Sequence, residues 1–377
     1  MDIKKELWII DSTLRDGEQA PGVAFSKKEK LHIARMLDTA GIDEIEAGTP
    51  AMGEEECRMI RQIAAMPRRA RISVWCRALE QDIVMAAKTR AEGIHIACPL
   101  SEIQLASMHK EWEAMKDMLP RMVEMANCYF PYVSVGAQDA SRCGIERLFD
   151  FIDVAESAGV SRIRIADTVG ILTPLATMRL MNDVLEAYPS LPIDFHGHND
   201  LGMATANAVT AWQAGASSLS VTVNGLGERA GNAALEEVLM AISLTEKQTT
   251  YATSVFSSLC EYVAYASKRP IPQGKAICGK MVFSHESGIH AKSALADIRS
   301  FQAFDGRSVG RESSRTLFGK HSGKGAVADF LHQQNMEVTD REVRLLTAKI
   351  RDMAQACKRN IYPEEILMAY GDMKHAY

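Results

Sequence analysis

The amino-acid sequence predicts an α/β protein, a (β/α)₈ TIM barrel with small, mainly helical C-terminal subdomains. Strand-length apolar runs recur with a period of about 30 residues, the length of a βα unit. Helical patterns lie between these runs, and the alternation stops near residue 250. We therefore expect a barrel over residues 1–250 and a linker with helical subdomains over residues 251–377.

The eight apolar runs are short, rich in Val and Ile, and therefore predicted to be strands. A doubly wound open sheet is the alternative, but no G-x-G-x-x-G motif follows the first run. The runs are LWIID (7–11), IDEIEAG (42–48), RISVWC (71–76), IHIAC (94–98), YVSVGA (132–137), RIRIAD (162–167), PIDFHG (192–197) and LSVTVNG (219–225).

The helix boundaries between the strands are marked by capping residues. Ser26 and Glu29 form a capping-box pattern at the start of the first helix, and Thr173-Pro174 is typical of another helix start. Four glycines follow helical segments and precede strands, so we expect them in the left-handed conformation that ends a helix. They are Gly41, Gly93, Gly159 and Gly215.

The chain changes character after the eighth strand. KRPIPQGKAICG is a Pro- and Gly-rich connector, and the pattern from about residue 323 is helical and charged. We therefore expect helices in the C-terminal region.

Charge and hydropathy exclude two classes of partner. The net charge is -5, so no broad basic surface indicates nucleic acid. No stretch approaches the 18 uncharged apolar residues that indicate a membrane helix.

The eight cysteines form no C-x-x-C pair, so a zinc knuckle or a redox motif is not expected. Their scattered positions favour free thiols in a reduced cytoplasm.

Two histidines and an aspartate are the candidate metal ligands. His196 and His198 are two positions apart on a predicted strand, so both side chains face the same way. Asp16 follows strand one, and the carboxyl ends of barrel strands share one face. Together they form a set that binds a divalent cation, to which Asn232 can add an oxygen; Zn, Mg, Mn and Fe are not distinguished. The alternative is a pair of hydrogen-bonded histidines without a metal.

Three further polar residues lie at strand ends. Arg15 can stabilise an oxyanion formed beside the metal, or it forms a buried salt bridge with Glu18 or Glu46. Glu46 orients Arg15 or binds substrate. Thr168 donates a hydrogen bond to a substrate carboxylate or caps a helix.

Two segments beyond these strands also carry chemistry. The loop NGLGERAGN allows the backbone to approach a ligand closely. His285 and His290 lie in SHESGIHA and are candidates for a general acid or base.

Taken together, the motifs resemble one family. DSTLRDGEQAPGVAF, ADTVG, FHGHNDLGMATAN, NGLGERAGNAALEEV, FSHESGIHA and FGKHSG occur in that order. They are similar to the branch of the DRE-TIM metallolyase superfamily that contains the 2-isopropylmalate and homocitrate synthases. The resemblance covers nearly the whole chain.

The resemblance implies an enzyme that condenses acetyl-CoA with a 2-oxo acid on a divalent metal ion. It implies that Asp16, His196 and His198 hold the metal, with Asn232 close by. Arg15 would stabilise the alkoxide, Thr168 would bind the carboxylate, and His290 would perform acid-base chemistry. A homodimer is also implied, in which the C-terminal region reaches the partner's barrel.

The sequence departs from its relatives at two positions. Many relatives carry a glutamate at the position of Gln138, which cannot titrate. Lysine-pathway relatives carry an arginine near the position of Ser134, where it binds the distal carboxylate of 2-oxoglutarate, and Ser134 cannot do so. Our hypothesis is that Arg77 or Arg142 replaces it.

Overall fold

The fold is described by a computed structural model that covers residues 7–246, 250–286, 297–312 and 315–375. The chain forms two compact units, residues 1–271 and 272–377. The first unit continues past residue 250, where the sequence analysis put the boundary, because one more helix (Phe256–Ser267) packs against the barrel helix Lys27–Ala40. In that contact, the rings of His32 and Tyr262 are 4.3 Å apart.

Eight parallel strands close a barrel in sequence order, which confirms the predicted fold and rules out the open sheet. The first and last strands pair, with Trp8 opposite Ser218 and Asp11 opposite Val221. The strands are β1 (Trp8–Asp11), β2 (Glu44–Glu46), β3 (Arg71–Arg77), β4 (Gly93–Pro99), β5 (Tyr132–Gln138), β6 (Arg162–Asp167), β7 (Ile193–Gly197) and β8 (Ser218–Val221).

Helices connect the strands and surround the barrel. Ser26 caps the first helix in a complete capping box, and Thr173 caps the seventh, as predicted. The helices of the first unit are α1 (Lys27–Ala40), α2 (Glu54–Ala64), α3 (Glu80–Ala87), α4 (Glu102–Ser107), α5 (Trp112–Asn127), α6 (Ile145–Ser157), α7 (Pro174–Ala187), α8 (Ala204–Ala214), α9 (Leu235–Glu246) and α10 (Phe256–Ser267).

The left-handed conformation predicted at helix ends occurs at Gly41, Gly159 and Gly215. The prediction is wrong for Gly93, which is the first residue of β4, and Arg90 adopts the left-handed conformation there instead, with φ 61°. Gly93 serves a packing role, because a Cβ at this position would lie 3.2 Å from the Cβ of Ser73 on β3.

The interior of the barrel is unusually polar. Barrels of this class are commonly filled by branched apolar side chains. Here Arg162 binds Glu44 at 2.9 and 3.0 Å, and both are buried. Two residues further along β6, buried Arg164 binds Glu46 at 3.0 Å and Asp194 at 2.6 Å. Arg164 also lines the cavity at the carboxyl ends of the strands, so the polar interior continues into it.

The second unit is mainly helical, as predicted. A short parallel pair, β9 (Ser284–His285) and β10 (Arg315–Thr316), precedes α11 (Lys324–Gln333), α12 (Asp340–Cys357) and α13 (Pro363–His375). These helices enclose a small apolar core that includes Val327, Leu331, Leu346, Ile350 and Ile366. Across both units, none of the described helices is long and apolar enough to span a bilayer.

Candidate metal centre and active site

Asp16, His196 and His198 converge at the carboxyl ends of β1 and β7. The Oδ2 atom of Asp16 lies 3.2 Å from Nε2 of His196 and 3.7 Å from Nε2 of His198. The two Nε2 atoms are 3.3 Å apart. The sequence reaches this geometry because alternation along β7, continued by His198 just after its end, turns both histidines to the same side. The three predicted ligands therefore form one buried cluster that could hold a metal ion.

The protonation of the cluster suits a cation. Burial alone would raise the pKa of Asp16, but Arg15 and the two histidines more than offset it and hold the pKa well below its usual range. Burial, with His196 close by, lowers the pKa of His198 to about 4. At neutral pH the cluster therefore contains an ionised carboxylate and a neutral His198 imidazole, the forms in which these groups bind divalent metals.

Asn232 is held beside the cluster by the loop after β8. Its Nδ2 donates to the carbonyl of Leu226 at 3.1 Å, whereas buried Oδ1 has no hydrogen-bond partner within the described ranges. A Cβ at Gly227 would lie 2.2 Å from that Nδ2 and 3.5 Å from Oδ1 of Asp16. Only glycine fits there, and an unpartnered amide oxygen beside two imidazoles and a carboxylate matches the donor set of a divalent metal site.

Arg15 connects this cluster to the barrel interior. Its Nη1 lies 3.2 Å from Oδ2 of Asp16, and its Nε donates to Oε2 of Glu46 at 2.5 Å. Glu46 is fully buried and also accepts from Ser12 and Arg164. Burial would raise the pKa of Glu46, but Arg15 and Arg164 lower it well below its ordinary value. Of the two roles considered for Glu46, this geometry favours orientation of Arg15.

Thr168 lines the cavity at the carboxyl ends of the strands. Its Oγ1 accepts a hydrogen bond from the backbone N–H of Asp139 at 2.8 Å, so the hydroxyl proton remains available to a ligand. Its carbonyl accepts from Nη2 of Arg229, which also pairs with Asp200. This fixes the loop after β8 against the end of β6.

These groups surround a cavity of about 200 Å³. Among the predicted residues, Arg15, Asp16, Thr168, His196 and His198 line it. The rest of its wall, which the predictions did not assign to substrate binding, is formed by Gln19, Trp75, His95, Ala97, Gly136, Gln138, Arg164, Ala166, Glu228 and Arg229.

Arg77 and Arg142, the predicted substrate-binding arginines, do not line this cavity. Alternation gives Arg77 the same face as Trp75, but its side chain is 55% exposed and makes two hydrogen bonds to Asp82 of α3. Arg142 binds Asp139 through Nε and Nη2. The structure therefore does not support our hypothesis for the distal carboxylate at either position.

The two histidines of the SHESGIHA segment belong to the second unit. His290 lies outside the described residues. His285 ends β9, and its Nε2 is 3.0 Å from Nε2 of Gln302. Next to it, Glu286 accepts from the backbone N–H of His321 at 2.9 Å, which joins this segment to the FGKHSG motif.

His95 and Arg164, which also line the cavity, were not predicted as site residues from the sequence. Both are buried, and they occupy strand positions that alternate with apolar residues in GIHIACP and RIRIAD. A charged or titratable residue inside such a strand was the signal that could have identified them, as it did for His196 and His198.

Comparisons with known proteins agree with the fold. Residues 6–263 match the HMGL-like family, and residues 277–358 match the homocitrate synthase post-HMGL domain-like family. The chain is 42% identical over 371 residues to 2-isopropylmalate synthase 2 of Caldanaerobacter subterraneus, covering 98% of this chain and 96% of the relative. It is 40% identical to homocitrate synthase 1 of a Nostoc species, covering 98% of each chain.

A solved structure shares the fold. The HMG-CoA lyase of Bacillus subtilis superposes with a TM-score of 0.65 at 19% identity, over 72% of this chain and 97% of the lyase.

The fold and the cluster thus define a TIM-barrel metallolyase-type protein whose candidate metal centre lies at the carboxyl ends of the strands. The chain belongs to the HMGL-like family, in the DRE-TIM group that includes homocitrate and 2-isopropylmalate synthases.

Proposed function

We propose that the protein is a homocitrate synthase, which condenses acetyl-CoA with 2-oxoglutarate and releases homocitrate and CoA. The observation that carries this proposal is the cluster of Asp16, His196 and His198, which shares one cavity with Arg15 and Thr168. The 40% identity to homocitrate synthase 1, which extends over 98% of each chain, supports the same activity.

The candidate ligands fit a divalent metal. Asp16, His196 and His198 would hold it, with Asn232 close by. When bound, it would supply a Lewis acid for the keto carbonyl of the 2-oxo acid.

The side chains of the cavity bind and orient the 2-oxo acid. Arg15 donates to the keto oxygen, which gains negative charge as the carbon beside it is attacked. Glu46 is a positioning residue, because it holds Nε of Arg15 while the guanidinium lines the cavity beside Asp16. The Thr168 hydroxyl donates to the carboxylate next to the keto carbon.

The reaction needs one carbon–carbon bond and one hydrolysis. The acetyl methyl group loses a proton, and its carbon attacks the keto carbon. The alkoxide takes up a proton, water cleaves the thioester, and CoA leaves as the thiol. We assign the acid-base step to His290. Gln138 lines the cavity but cannot titrate, so its role is limited to hydrogen bonding.

The second candidate is the same reaction with another acceptor. The identity to 2-isopropylmalate synthase 2 favours 2-oxoisovalerate, and a citramalate synthase would use pyruvate. A branched apolar side chain needs an apolar wall, whereas His95, Gln138 and Arg164 present hydrogen-bonding groups. A carbon–carbon lyase of the same superfamily fits less well, because HESGIHA and GKHSG resemble the synthase branch.

The biological setting belongs to the same proposal. GTPAMG, SVWCR, QDASR and YPEEILMAY resemble the homocitrate synthases that serve nitrogenase cofactor assembly. We propose this role for a cytoplasmic homodimer in which the C-terminal region reaches the partner's barrel.

The test is CoA release from acetyl-CoA with 2-oxoglutarate, 2-oxoisovalerate, pyruvate and oxaloacetate, with the product identified by mass spectrometry. We expect the highest kcat/KM with 2-oxoglutarate, and homocitrate as product. A preference for 2-oxoisovalerate would overturn the name and leave the metal-dependent condensation standing. Absence of CoA release with every acceptor, in metal-loaded enzyme, would overturn both.

A further inference from the structure

Arg164 differs from the other buried arginine on its strand. Arg162 uses both terminal nitrogens, Nη1 and Nη2, on Glu44, and its atom without a partner in the described ranges is Nε. Arg164 uses Nε on Asp194 and Nη1 on Glu46, and its Nη2 has no hydrogen-bond partner within the described ranges. Arg164 lines the cavity and Arg162 does not, although both are 2% exposed.

An unpartnered guanidinium nitrogen beneath a ligand cavity needs an explanation. A buried N–H without an acceptor is unfavourable, and buried arginines normally have their donors satisfied. Carboxylates are the acceptors that match the planar fork of arginine best. The spare donor of Arg164 therefore points to a carboxylate that arrives with a ligand.

His95 lines the same cavity and is held in a fixed orientation. Its Nδ1 lies 2.9 Å from Oγ of Ser134, so the ring is anchored on β5 and presents its Nε2 edge. Gly136 leaves room for this edge of the imidazole ring, because a Cβ at residue 136 would lie 2.5 Å from Nε2 of His95. Burial and the nearby Arg164 keep the pKa of His95 well below its ordinary value, so the ring is neutral. Oγ of Ser134 lies nearer to Nδ1 of His95 than to the carbonyl of Ile94, at 2.9 against 3.3 Å. When its single proton is donated to Nδ1, the Nε2 proton of His95 is free for a ligand.

We infer that Arg164 and His95 bind the distal carboxylate of a dicarboxylic 2-oxo acid. This inference rests on the proposed function and specifies how the site selects its acceptor. Ser134, which replaces the arginine expected from lysine-pathway relatives, becomes a positioning residue for His95. In this chain the arginine that binds the distal carboxylate is on β6, whereas in lysine-pathway relatives it is on β5. Arg77 and Arg142 are then not needed to bind this carboxylate.

The main test compares Arg164→Lys with Arg162→Lys. Lysine at 164 keeps the charge beside Glu46 and Asp194 but removes the spare Nη2. We expect the KM for 2-oxoglutarate to rise about tenfold or more, because a site built to bind a polar group discriminates strongly for it. The competitive inhibition constant of 2-oxobutyrate, which has no distal carboxylate, should change less than threefold. Arg162→Lys should alter neither constant by more than about twofold, since Arg162 is not at the cavity.

Ser134→Ala gives a second test that leaves every ion pair intact. We expect the same selective rise in the KM for 2-oxoglutarate, but smaller, because His95 loses its anchor. Melting temperatures identify any variant that fails to fold, and Ser134→Ala then decides the question. The inference is overturned if the variants change the KM for 2-oxoglutarate and the inhibition constant of 2-oxobutyrate in parallel, or change neither. If the wild-type enzyme prefers 2-oxoglutarate in that case, the proposed function stands. If the wild type prefers 2-oxoisovalerate, the proposed function has failed and the inference fails with it.

Discussion

At the residue scale, the candidate site depends on buried charges that hold one another in place. Arg15 lies between Asp16 and Glu46, and Glu46 in turn contacts Arg164. Removing one partner of a buried pair leaves an uncompensated charge, which is strongly destabilising. The role of a single side chain in this network must therefore be measured with a control for folding.

His196→Ala should abolish metal binding and turnover together. The imidazole supplies one of three converging ligand atoms, so we expect the affinity for a divalent cation to fall by more than about 100-fold. Equilibrium dialysis and CoA release measure the two effects. His332→Ala, which removes an exposed histidine of α11, is the matched control and should change neither. Turnover that persists in a metal-free His196→Ala enzyme would contradict the site.

Asp11 gives a prediction for pH. Burial raises the pKa of Asp11 to about 7, against roughly 3.9 in an unfolded chain. Between these values the unfolded state loses its proton first, so Asp11 makes wild-type stability fall as the pH rises, and the loss is complete above pH 7. Asp11→Asn removes this pH-dependent loss of stability, because asparagine does not titrate.

The stabilisation by Asp11→Asn, relative to wild type, should therefore be larger at pH 7.5 than at pH 5. Thermal unfolding at the two pH values measures it. The exposed Asp183→Asn on α7 is the control and should show no such difference. An equal effect of Asp11→Asn on stability at both pH values would refute the raised pKa of Asp11.

The residues differ in how far the sequence could predict them. His196 and His198 follow from alternation within one strand, and Asp16 from the shared face of strand ends. The Arg164–Glu46 contact joins residues 118 positions apart, so no local pattern reveals it. Arg77 was proposed from its position at a strand end, and the sequence did not reveal that Asp82, five residues later, binds its guanidinium.

At the element scale, the loop after β8 brings Asn232 to the metal cluster. Asn199 N–H donates to the carbonyl of Gly231 at 2.8 Å, and Ala233 N–H donates to Gly197 at 3.2 Å. These bonds join the loop to the end of β7. The sequence predicted a close approach of this glycine-rich loop to a ligand, and the crowding at Gly227 is consistent with that role.

Gly227→Ala should lower metal affinity without unfolding the barrel. The new Cβ of residue 227 would lie 2.2 Å from Nδ2 of Asn232 and would therefore displace the Asn232 amide. We expect about a tenfold loss of affinity by isothermal titration, with a smaller effect on melting temperature, since the clash is with the end of one side chain in the loop after β8. Gly325→Ala, where a Cβ meets nothing within 4 Å, is the control. Unchanged affinity in Gly227→Ala would argue against a role for Asn232.

Element boundaries also show where sequence reasoning stops. The eight strands and the capped helices have strong local signals, namely period-two alternation and capping boxes. Gly93 has the same sequence context as three left-handed glycines, yet it begins a strand. Its role is set by the Ser73 side chain on β3, a contact that the local sequence does not encode.

At the scale of the whole molecule, the sequence predicted the closed barrel because eight βα units are consistent with one another. The polar interior was not expected, since the strands were identified by their apolar residues. Along β6, Ile163 and Ile165 alternate with Arg162 and Arg164, so the isoleucines face the helices and the arginines face inward, where Arg162 contacts Glu44.

The proposed homodimer is tested by the mass in solution. Light scattering should give twice the 41.5 kDa of one chain. A mass of one chain at the concentration of the activity assay, with full turnover, would show that the partner subunit is not required.

The central claim is that one divalent cation is bound by an acidic and two imidazole side chains at the mouth of the barrel. A crystal structure with Mn²⁺ and anomalous scattering tests it directly. The account predicts one strong peak roughly 2.0–2.5 Å from Oδ2 of Asp16 and from the Nε2 atoms of His196 and His198. A peak bound elsewhere, with these three atoms hydrogen-bonded only to one another, would contradict it.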